Sequence, residues 1–318
     1  MAEPRIALIT GATGFIGRWA VGPLLARGYR VIACGARPRA AADLPAELRG
    51  AEYLGLDLFD QAAVDRALAD LRPSHLLHFA WNATPGVYWT ALDNYDWVAA
   101  SLHLARQFRA QGGRRLVVAG TCAEYDWDAA GLCHETRSPT VLQAAAPATP
   151  YATCKAALER MLASFARQSG TSFAWGRVFL QYGPYEPVQR LVPSVILALL
   201  EGQPAACSHG RQIRSFLHTR DLGDAFAALL DCDVQGVVNV GSDQRTSIAE
   251  LVQRIGAMIG RPDLIQLGAR PSPANDPDFL VPDVARLRDE VGWRPAQSLA
   301  DGLSQTIAWW RGNRPRAD

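Results

Sequence analysis

Short apolar runs alternate with helical patterns through the first 180 residues of the chain. The apolar runs predict strands at 6–9, 31–34, 53–56, 75–79, 116–119 and 173–179. The amphipathic segments between them predict helices at 16–27, 61–71, 98–110 and 155–168. Apolar strands that alternate with helices are typical of a parallel sheet covered on both faces. The pattern therefore predicts an α/β fold built on a doubly wound parallel sheet.

The pattern loosens from about residue 181, where prolines and glycines become denser. Helices are predicted at 193–200, 221–230, 248–259 and 298–310. Ser247 is the predicted N-cap of the third of these, and a loop rich in Pro and Asp is predicted over 270–282. We expect residues 1–180 to form the main domain and residues 181–318 a smaller C-terminal substrate-binding lobe, with room for parts of 211–245 to pack back on the main domain.

Composition and charge narrow the function classes. The 318 residues are 49% hydrophobic and 20% charged, with a formal net charge of +1. A near-neutral chain offers no basic excess for nucleic acid or a membrane surface, so neither partner is expected. The most apolar stretch, 191–200, is too short to span a bilayer. Because the first strand begins within the first six residues and no charged-then-apolar leader precedes it, a cytoplasmic location is expected.

Neither the cysteines nor the histidines are arranged as a metal site. None of the six cysteines forms a Cys-x-x-Cys pair, and none lies near a histidine cluster in the sequence. His75 and His78 are three residues apart on a predicted strand, which places them on opposite faces of the sheet. We therefore predict reduced thiols and no metal ion.

A glycine-rich turn follows the first predicted strand. Gly11, Gly14 and Gly17 are spaced three residues apart, directly before a helical pattern. Glycines permit a sharp turn and let backbone amides approach a pyrophosphate, and the helix N-terminus adds a partial positive charge. The segment predicts a Rossmann dinucleotide site; the structural alternative is an ordinary tight turn between strand and helix. The candidate residues are Gly11, Thr13, Gly14, Phe15, Ile16, Gly17 and Arg18.

The end of the second predicted strand bears on which dinucleotide binds. An NAD site usually offers a carboxylate there for the ribose hydroxyls, and this strand is followed by none. Arg37, with Arg18 on the other side, could instead pair with a 2′-phosphate, which favours NADP(H) and leaves NAD(H) as the alternative. Both arginines could also be solvated surface residues. Asp57 and Leu58 are candidates for the adenine edge, and Ala80 for the path toward the nicotinamide.

A tyrosine and a lysine four residues apart begin the last helical pattern of the main domain. Tyr151 and Lys155 lie one turn apart on one helix face. A free tyrosine has a pKa of about 10, and a nearby ammonium is expected to lower it toward a value useful in proton transfer. Thr121, at the end of a predicted strand, could polarise the same substrate oxygen. All three are predicted to be catalytic, with Tyr151 and Lys155 also contacting the cofactor; the alternative is an amphipathic helix start with an exposed lysine.

At this point the chain resembles the extended short-chain dehydrogenases/reductases, the NAD(P)-dependent epimerase/dehydratase group that remodels nucleotide sugars. The resemblance covers nearly the whole chain and includes the family's cofactor turn, catalytic strand end, active tyrosine, second-lobe entry and C-terminal signature. The segments that carry it are 10–17, 121–125, 134–136, 150–151, 182–184, 190–193, 212–218, 292–295 and 298–299. It implies an NAD(P)-dependent enzyme that acts on a nucleotide-diphosphate sugar, as a homodimer formed through the helices near 98–110 and 155–168.

The resemblance also implies substrate-binding residues. Two arginines usually hold the pyrophosphate of the substrate in this family; Arg214 and Arg270 match those positions, and Arg190 is a weaker candidate. Each arginine could instead form a surface ion pair. Asn82 and Thr84 lie in an aromatic loop that is expected to shape the sugar pocket, although aromatic loops also simply pack.

Three departures from the family pattern bear on the reaction. The sugar 4,6-dehydratases carry Asp-Glu directly after the catalytic threonine, whereas this chain has Cys122 and Ala123. Leu180 and Gln181 stand where an asparagine is often found, and Ser215 replaces an aspartate. The missing acidic pair disfavours dehydration.

The sequence therefore favours an NADPH-dependent reductase of a nucleotide-linked 4-keto-6-deoxy sugar. The alternatives are an NAD(P)-dependent nucleotide-sugar 4-epimerase, a less favoured 4,6-dehydratase, and a cofactor-binding protein without turnover. Loss of Tyr151 or Lys155 would have indicated the last of these, and both are present.

Overall fold

The computed structural model describes residues 5–129, 131–144, 148–272 and 276–315. The strands are β1 (Ile6–Thr10), β2 (Arg30–Gly35), β3 (Glu52–Gly55), β4 (His75–His78), β5 (Arg115–Thr121), β6 (Leu132–Cys133), β7 (Ser172–Val178), β8 (Leu180–Tyr182), β9 (Ala205–Ala206), β10 (Ile213–Arg214), β11 (Phe216–His218), β12 (Gly236–Val240), β13 (Thr246–Ser247), β14 (Ile265–Gln266) and β15 (Phe279–Pro282). The helices are α1 (Arg18–Ala26), α2 (Gln61–Leu71), α3 (Asp93–Ala110), α4 (Pro150–Ser169), α5 (Leu191–Leu200), α6 (Thr219–Asp231), α7 (Ile248–Ile259) and α8 (Leu299–Gly312).

A seven-stranded sheet forms the body of the molecule, in the order β12-β7-β5-β4-β1-β2-β3. Every pairing in it is parallel. The chain moves outward from β1 in one direction through β2 and β3, then returns to β4 and continues in the other direction. The predicted doubly wound parallel sheet is confirmed. In such sheets the crevice between the two central strands at the reversal, here β1 and β4, binds ligands at their carboxyl ends.

Helices cover both faces of this sheet, which explains the continuous apolar runs of its strands. On one face, α1 and α6 pack together through residues such as Val21 and Phe226. On the other face, α2, α3 and α4 contribute side chains that include Leu68, Phe108 and Leu158.

The predicted strands correspond to β1–β5 and β7, and the other described strands were not predicted. Two of these bear directly on the predicted organisation of the chain. The seventh strand of the large sheet, β12, was not among the predicted strands; it pairs with β7, so part of the 211–245 segment lies on the main sheet. The loop predicted over 270–282 is wrong at its end, because β15 forms there between β10 and β6. The proline of β15 is its last residue. Residues 273–275 of that loop lie outside the described residues.

Helix α3 begins at Asp93, earlier than the predicted start at residue 98. Its first turn is polar and gives no apolar period, so the sequence pattern missed it. Asp93 and Asp96 nonetheless favour a helix start, since carboxylates are stabilised at the positive end of a helix.

The smaller lobe surrounds a core of its own between α5, α7 and α8, which includes Ile196, Leu251 and Leu303. The strands outside the large sheet form a four-stranded sheet, β13-β10-β15-β6, and two pairs, β11-β8 and β14-β9; β6 joins the four-stranded sheet from the first half of the chain. Within the described ranges, we find no helix with the length and apolar character needed to cross a bilayer.

Candidate active site

The glycine turn lies between β1 and the carboxyl end of β4. Gly11 has a φ of +69°, and a Cβ placed on it would lie 2.8 Å from the backbone nitrogen of Ala80. A Cβ on Gly17 would lie 2.4 Å from the Gly11 carbonyl oxygen. No side chain caps the N-terminus of α1, and its first turn carries no acidic residue. The glycines allow the turn to pack this closely against the backbone. The positive end of α1, which no side chain caps, fits a pyrophosphate.

Replacing Gly17 with alanine is expected to weaken dinucleotide binding by about 10- to 100-fold. The new Cβ meets backbone, so the turn must distort at a cost of about 1–3 kcal/mol. Gly22→Ala is the matched control on the same helix, because a Cβ there has nothing within 4 Å. Titration with NADPH and NADH, followed by tryptophan fluorescence, measures both variants. Equal affinities in the two variants would contradict the assignment of this turn.

The end of β2 packs closely against the glycine turn. A Cβ on Gly35 would lie 2.5 Å from the Tyr53 hydroxyl and 3.2 Å from the Thr13 hydroxyl oxygen. Tyr53 donates to the Arg37 carbonyl oxygen at 2.7 Å, and Arg37 itself is exposed. The strand thus ends in a glycine, where an NAD-type site would carry a carboxylate, and a cation follows.

Arg18 is turned back on the glycine turn. Its guanidinium donates to the carbonyl oxygens of Gly14 at 2.9 Å and Thr13 at 2.5 Å. It also lies 3.8 Å from the centroid of the Tyr185 ring. The side chain therefore braces the turn, and its contact with a 2′-phosphate stays a prediction.

The remaining predicted cofactor residues lie along the same edge of the sheet. Asp57 accepts a hydrogen bond from the Phe59 amide at 3.0 Å, and Leu58 beside it is buried. The Ala80 amide donates to the Thr10 hydroxyl at 3.4 Å. Phe15 and Ile16 are half-buried in the turn before α1. Their contacts with a cofactor stay predictions.

The three predicted catalytic residues are brought together at the end of β5. Thr121 is the last residue of β5, while Tyr151 and Lys155 lie in the first two turns of α4. The Thr121 side chain lies close enough to the Tyr151 phenol to lower its pKa. Lys155 Nζ donates to the carbonyl oxygen of Ala119 at 2.9 Å. Thr149 starts α4 by accepting from its first turn, which fixes where Tyr151 begins the helix.

The electrostatics of this cluster differ from the sequence expectation. Burial raises the pKa of Tyr151, and the Thr121 side chain acts in the opposite direction. Burial lowers the pKa of Lys155 to about 7, while Glu124 raises it. The expected net lowering of the Tyr151 pKa is wrong, because burial is the largest influence on it. Lys155 Nζ lies between the Ala119 carbonyl oxygen and the Trp81 ring, whose centroid is 3.8 Å away.

An aromatic loop covers Tyr151. The rings of Tyr88 and Trp89 meet the Tyr151 ring edge-on, with centroids 4.8 and 5.5 Å away. The Tyr151 amide also donates to the Trp89 carbonyl oxygen at 3.2 Å. Trp81, at the start of this loop, donates from Nε1 to Asn94 at 2.8 Å. The loop therefore forms one wall of the site.

Asn82 and Thr84 are the predicted sugar-binding residues of this loop. Their side chains form hydrogen bonds within the loop and to the first residue of α3. Asn82 donates to Asp93 at 2.8 Å and accepts from the Thr84 amide at 3.1 Å and hydroxyl at 2.9 Å. These bonds hold the loop against α3. Contact of either residue with a substrate stays a prediction.

Two of the three predicted substrate arginines approach the catalytic cluster. Arg214 is buried, forms an ion pair with Asp276 and lies close enough to Cys122 to oppose the effect of burial, which raises the pKa of that thiol to about 12. Arg190 opposes the effect of burial, which raises the pKa of the Tyr88 phenol.

Arg270 lies elsewhere, with an exposed side chain and an amide that donates to the Cys207 carbonyl oxygen at 3.0 Å. Another carboxyl group lies near Arg190: burial raises the pKa of Glu186 to about 8, and the arginine opposes that shift. The substrate roles of the three arginines stay predictions.

Sequence reasoning missed a buried ion pair directly behind Thr121. The Glu124 carboxylate is fully buried and accepts from Arg177 Nε at 2.7 Å. It also accepts from the Thr121 amide at 2.8 Å and from Trp175 Nε1 at 3.0 Å. The available signal was an arginine inside the apolar strand predicted at 173–179, since a buried cation needs a partner.

Comparison with known proteins agrees with this geometry. The sequence model of the NAD dependent epimerase/dehydratase family matches residues 7–241. A dTDP-4-dehydro-6-deoxy-D-allose reductase of Streptomyces bikiniensis is 30% identical over 326 residues, covering 96% of each chain. A dTDP-glucose 4,6-dehydratase of Xanthomonas campestris pv. campestris is 28% identical, covering 96% of this chain and 93% of that one.

Comparison with solved structures identifies proteins of the same fold. The crystal structure of a Thermus thermophilus UDP-glucose 4-epimerase in complex with NAD matches with a TM-score of 0.78 at 25% identity, covering 96% of this chain and 99% of that one. The family match spans most of the chain and includes the glycine turn and all three residues of the catalytic cluster. The chain therefore belongs to the NAD-dependent epimerase/dehydratase family, the extended short-chain dehydrogenase/reductase enzymes that act on nucleotide sugars.

Proposed function

We propose that the protein uses NADPH to reduce the carbonyl group of a nucleotide-linked 4-keto-6-deoxy sugar. The observation that carries this proposal is the grouping of Thr121, Tyr151 and Lys155 at the end of β5, where burial raises the pKa of the Tyr151 phenol. A phenol that stays protonated at neutral pH suits a proton donor to a carbonyl better than it suits a base. The 30% identical relative named as a 4-dehydro-6-deoxy sugar reductase supports the same direction of reaction.

The chain's own residues account for the proton transfer. A bound reduced nicotinamide would supply the hydride. The hydroxyls of Thr121 and Tyr151 hold the substrate's carbonyl oxygen between them, and Tyr151 donates its proton as negative charge develops on that oxygen. The Lys155 ammonium stabilises the phenolate left behind. The rings of Tyr88 and Trp89 keep water from this proton donor.

The preference for NADPH rests on the end of β2. Gly35 offers no carboxylate to the ribose, and the exposed guanidinium of Arg37 follows two residues later. A 2′-phosphate there would gain a charge-assisted contact, whereas a carboxylate would repel it.

Arg37→Ala is expected to raise the KM for NADPH by about 10- to 100-fold, since a charge-assisted hydrogen bond contributes about 1.5–3 kcal/mol. The KM for NADH should stay within about twofold, because NADH has no 2′-phosphate to lose. Arg66→Ala removes the same charge from an exposed position on α2 and serves as the control. Steady-state kinetics with each cofactor provide the measurement; a parallel loss for both cofactors would contradict the phosphate role.

The diphosphate of the substrate is assigned to the arginines of the smaller lobe. Arg214 acts on the pKa of Cys122, the residue after Thr121, and Arg190 acts on the pKa of Tyr88, whose ring packs on Tyr151. Arg270, on an exposed loop, would complete the grip when substrate binds. Two phosphate groups need such cationic partners.

Dehydration is disfavoured on chemical grounds. The two residues after Thr121 would have to supply an acid and a base for loss of water. Burial raises the pKa of the Cys122 thiol to about 12, which makes it a poor acid or base at neutral pH, and Ala123 has no titratable group.

The deciding experiment mixes the purified protein, NADPH and a nucleotide-linked 4-keto-6-deoxy sugar and follows the nicotinamide absorbance. Stoichiometric oxidation of NADPH supports the reductase. Interconversion of nucleotide-sugar 4-epimers without net cofactor consumption would instead identify an epimerase. Cofactor binding with neither reaction would identify a protein without turnover.

We also propose a homodimer formed through α3 and α4. These helices pack against one another and leave Tyr95 and Met161 exposed, with Leu92 exposed just before α3. Exposed apolar side chains grouped on neighbouring helices are typical of interfaces.

A further inference from the structure

Glu124 lies behind the catalytic strand end, fully buried and fully engaged. One carboxylate oxygen accepts from the Thr121 amide at 2.8 Å and from Trp175 Nε1 at 3.0 Å. The other accepts from Arg177 Nε at 2.7 Å and shares the Trp175 donor at 3.0 Å. These bonds tie the backbone that carries the Thr121 hydroxyl to the neighbouring strand, β7.

The sequence leaves space for this arrangement at one residue. A Cβ on Gly120 would lie 2.0 Å from Trp175 Nε1 and 2.5 Å from Glu124 Oε1. Any other residue at position 120 would therefore push the indole or the carboxylate out of place. Gly120 lies between Ala119, whose carbonyl oxygen accepts from Lys155, and Thr121. The same short segment thus fixes both catalytic partners of Tyr151.

The Trp175 ring lies between Lys155 and Glu124: its centroid is 5.9 Å from Lys155 Nζ, and its Nε1 donates to Glu124 at 3.0 Å. Burial lowers the pKa of Lys155 to about 7, and Glu124 opposes that shift. From β4, His78 is buried and neutral, with its pKa lowered to about 3. On α4 itself, Tyr151 is protonated and Glu159, one turn on, has a pKa raised by burial.

We propose that Glu124 is a positioning residue for hydride transfer: it fixes the backbone of Thr121 and keeps the Lys155 ammonium charged. The kinetic part rests on the proposed function, because it concerns the proton transfer described there. Arg177, which pairs with Glu124 from β7, holds this carboxylate in place. The electrostatic part concerns the protein alone and can be tested without any substrate.

Lys155 is the only lysine of the chain, so its titration can be measured directly. Protein labelled with ¹³C,¹⁵N-lysine gives one side-chain resonance, which is followed over pH. Glu124→Gln keeps the size of the side chain and removes its charge, and is expected to lower the titration midpoint by about one pH unit. Glu159→Gln removes a carboxyl group from the same helix and should leave the midpoint unchanged. A wild-type midpoint in Glu124→Gln would overturn the electrostatic part.

Glu124→Asp separates reach from charge. The shorter carboxylate keeps the midpoint of Lys155 near the wild-type value but withdraws from the Thr121 amide. We expect kcat to fall by about 10- to 100-fold with little change in KM. A displaced catalytic hydroxyl weakens the stabilisation of the transition state, whereas binding of the substrate in its ground state is unaffected. Wild-type kcat in Glu124→Asp would overturn the positioning part.

Two further measurements keep the test decisive. If Glu124→Gln does not fold, Trp175→Phe removes one donor to the carboxylate and should lower kcat severalfold at constant KM. An unchanged kcat would then reject the positioning role.

A role in packing alone would lower the melting temperature without moving the titration of Lys155 or the pH profile of kcat. Absence of keto-sugar reduction by the wild-type protein would reject the proposed function and leave the lysine titration to decide the role of Glu124.

Discussion

Tyr151→Phe is expected to lower kcat for keto-sugar reduction by about 100- to 10,000-fold, the usual contribution of a positioned general acid. The substitution removes the hydroxyl beside Thr121 and keeps the ring that packs edge-on against Tyr88 and Trp89. The cofactor turn is formed by other residues, so the dissociation constant for NADPH should change by less than about threefold. Steady-state kinetics and fluorescence titration give the two quantities.

The control for this variant is Tyr95→Phe, which removes the hydroxyl of an exposed tyrosine on α3. Its activity should equal that of the wild type. Near-normal turnover in Tyr151→Phe would remove the phenol from the mechanism and with it the main argument for a reductase. A large loss of cofactor affinity would instead mean that the phenol chiefly holds the dinucleotide.

The sheet and its cofactor turn could be predicted because their signals are local. Strands buried on both faces need continuous apolar runs, and the turn after β1 needs glycine where Gly11 meets Ala80 and where Gly17 meets Gly11. The spacing of Tyr151 and Lys155 also places both on one helix face without knowledge of the rest of the fold. These features appear in a short window of sequence.

Other features depend on contacts between distant parts of the chain. The pair of Glu124 and Arg177 forms only because β5 and β7 are neighbours in the sheet. Strand β15 pairs with β10 and β6, which come from other parts of the chain. Nothing in the local sequence of its four residues indicates these pairings, so the sequence pattern alone predicts a loop there. The direction of Lys155, toward Ala119 and Trp81, likewise follows from packing that no local pattern records.

Lys155→Met is expected to abolish most activity and, at the same time, to stabilise the fold. The wild-type ammonium is 5% exposed, and burial lowers its pKa from 10.5 to about 7. Its charged form is therefore costly in the folded state. A methionine of similar length removes that cost, and we expect the free energy of unfolding at pH 6 to rise by about 1–4 kcal/mol. Without the ammonium to stabilise the phenolate, kcat should fall by about 100-fold or more.

The pH dependence of this gain follows from the two pKa values. Below pH 7 the lysine is charged in both states, so the wild type carries the full penalty. Between pH 7 and 10.5 the unfolded chain binds the proton that the folded protein has released, so wild-type stability rises with pH relative to the variant. The advantage of Lys155→Met should therefore be largest at pH 6 and much smaller at pH 9.

Urea denaturation of both proteins at these two pH values measures the difference, with Arg160→Met as the control. Arg160 is an exposed cation on the same helix, and its replacement should change stability by less than about 0.5 kcal/mol at either pH. A Lys155→Met variant that is less stable at pH 6 would mean that the bond to Ala119 and the contact with Trp81 outweigh the cost of burial. The expected gain would instead show that the fold gives up stability to keep a charged amine beside its proton donor, as enzymes do when a site is held ready for a transition state.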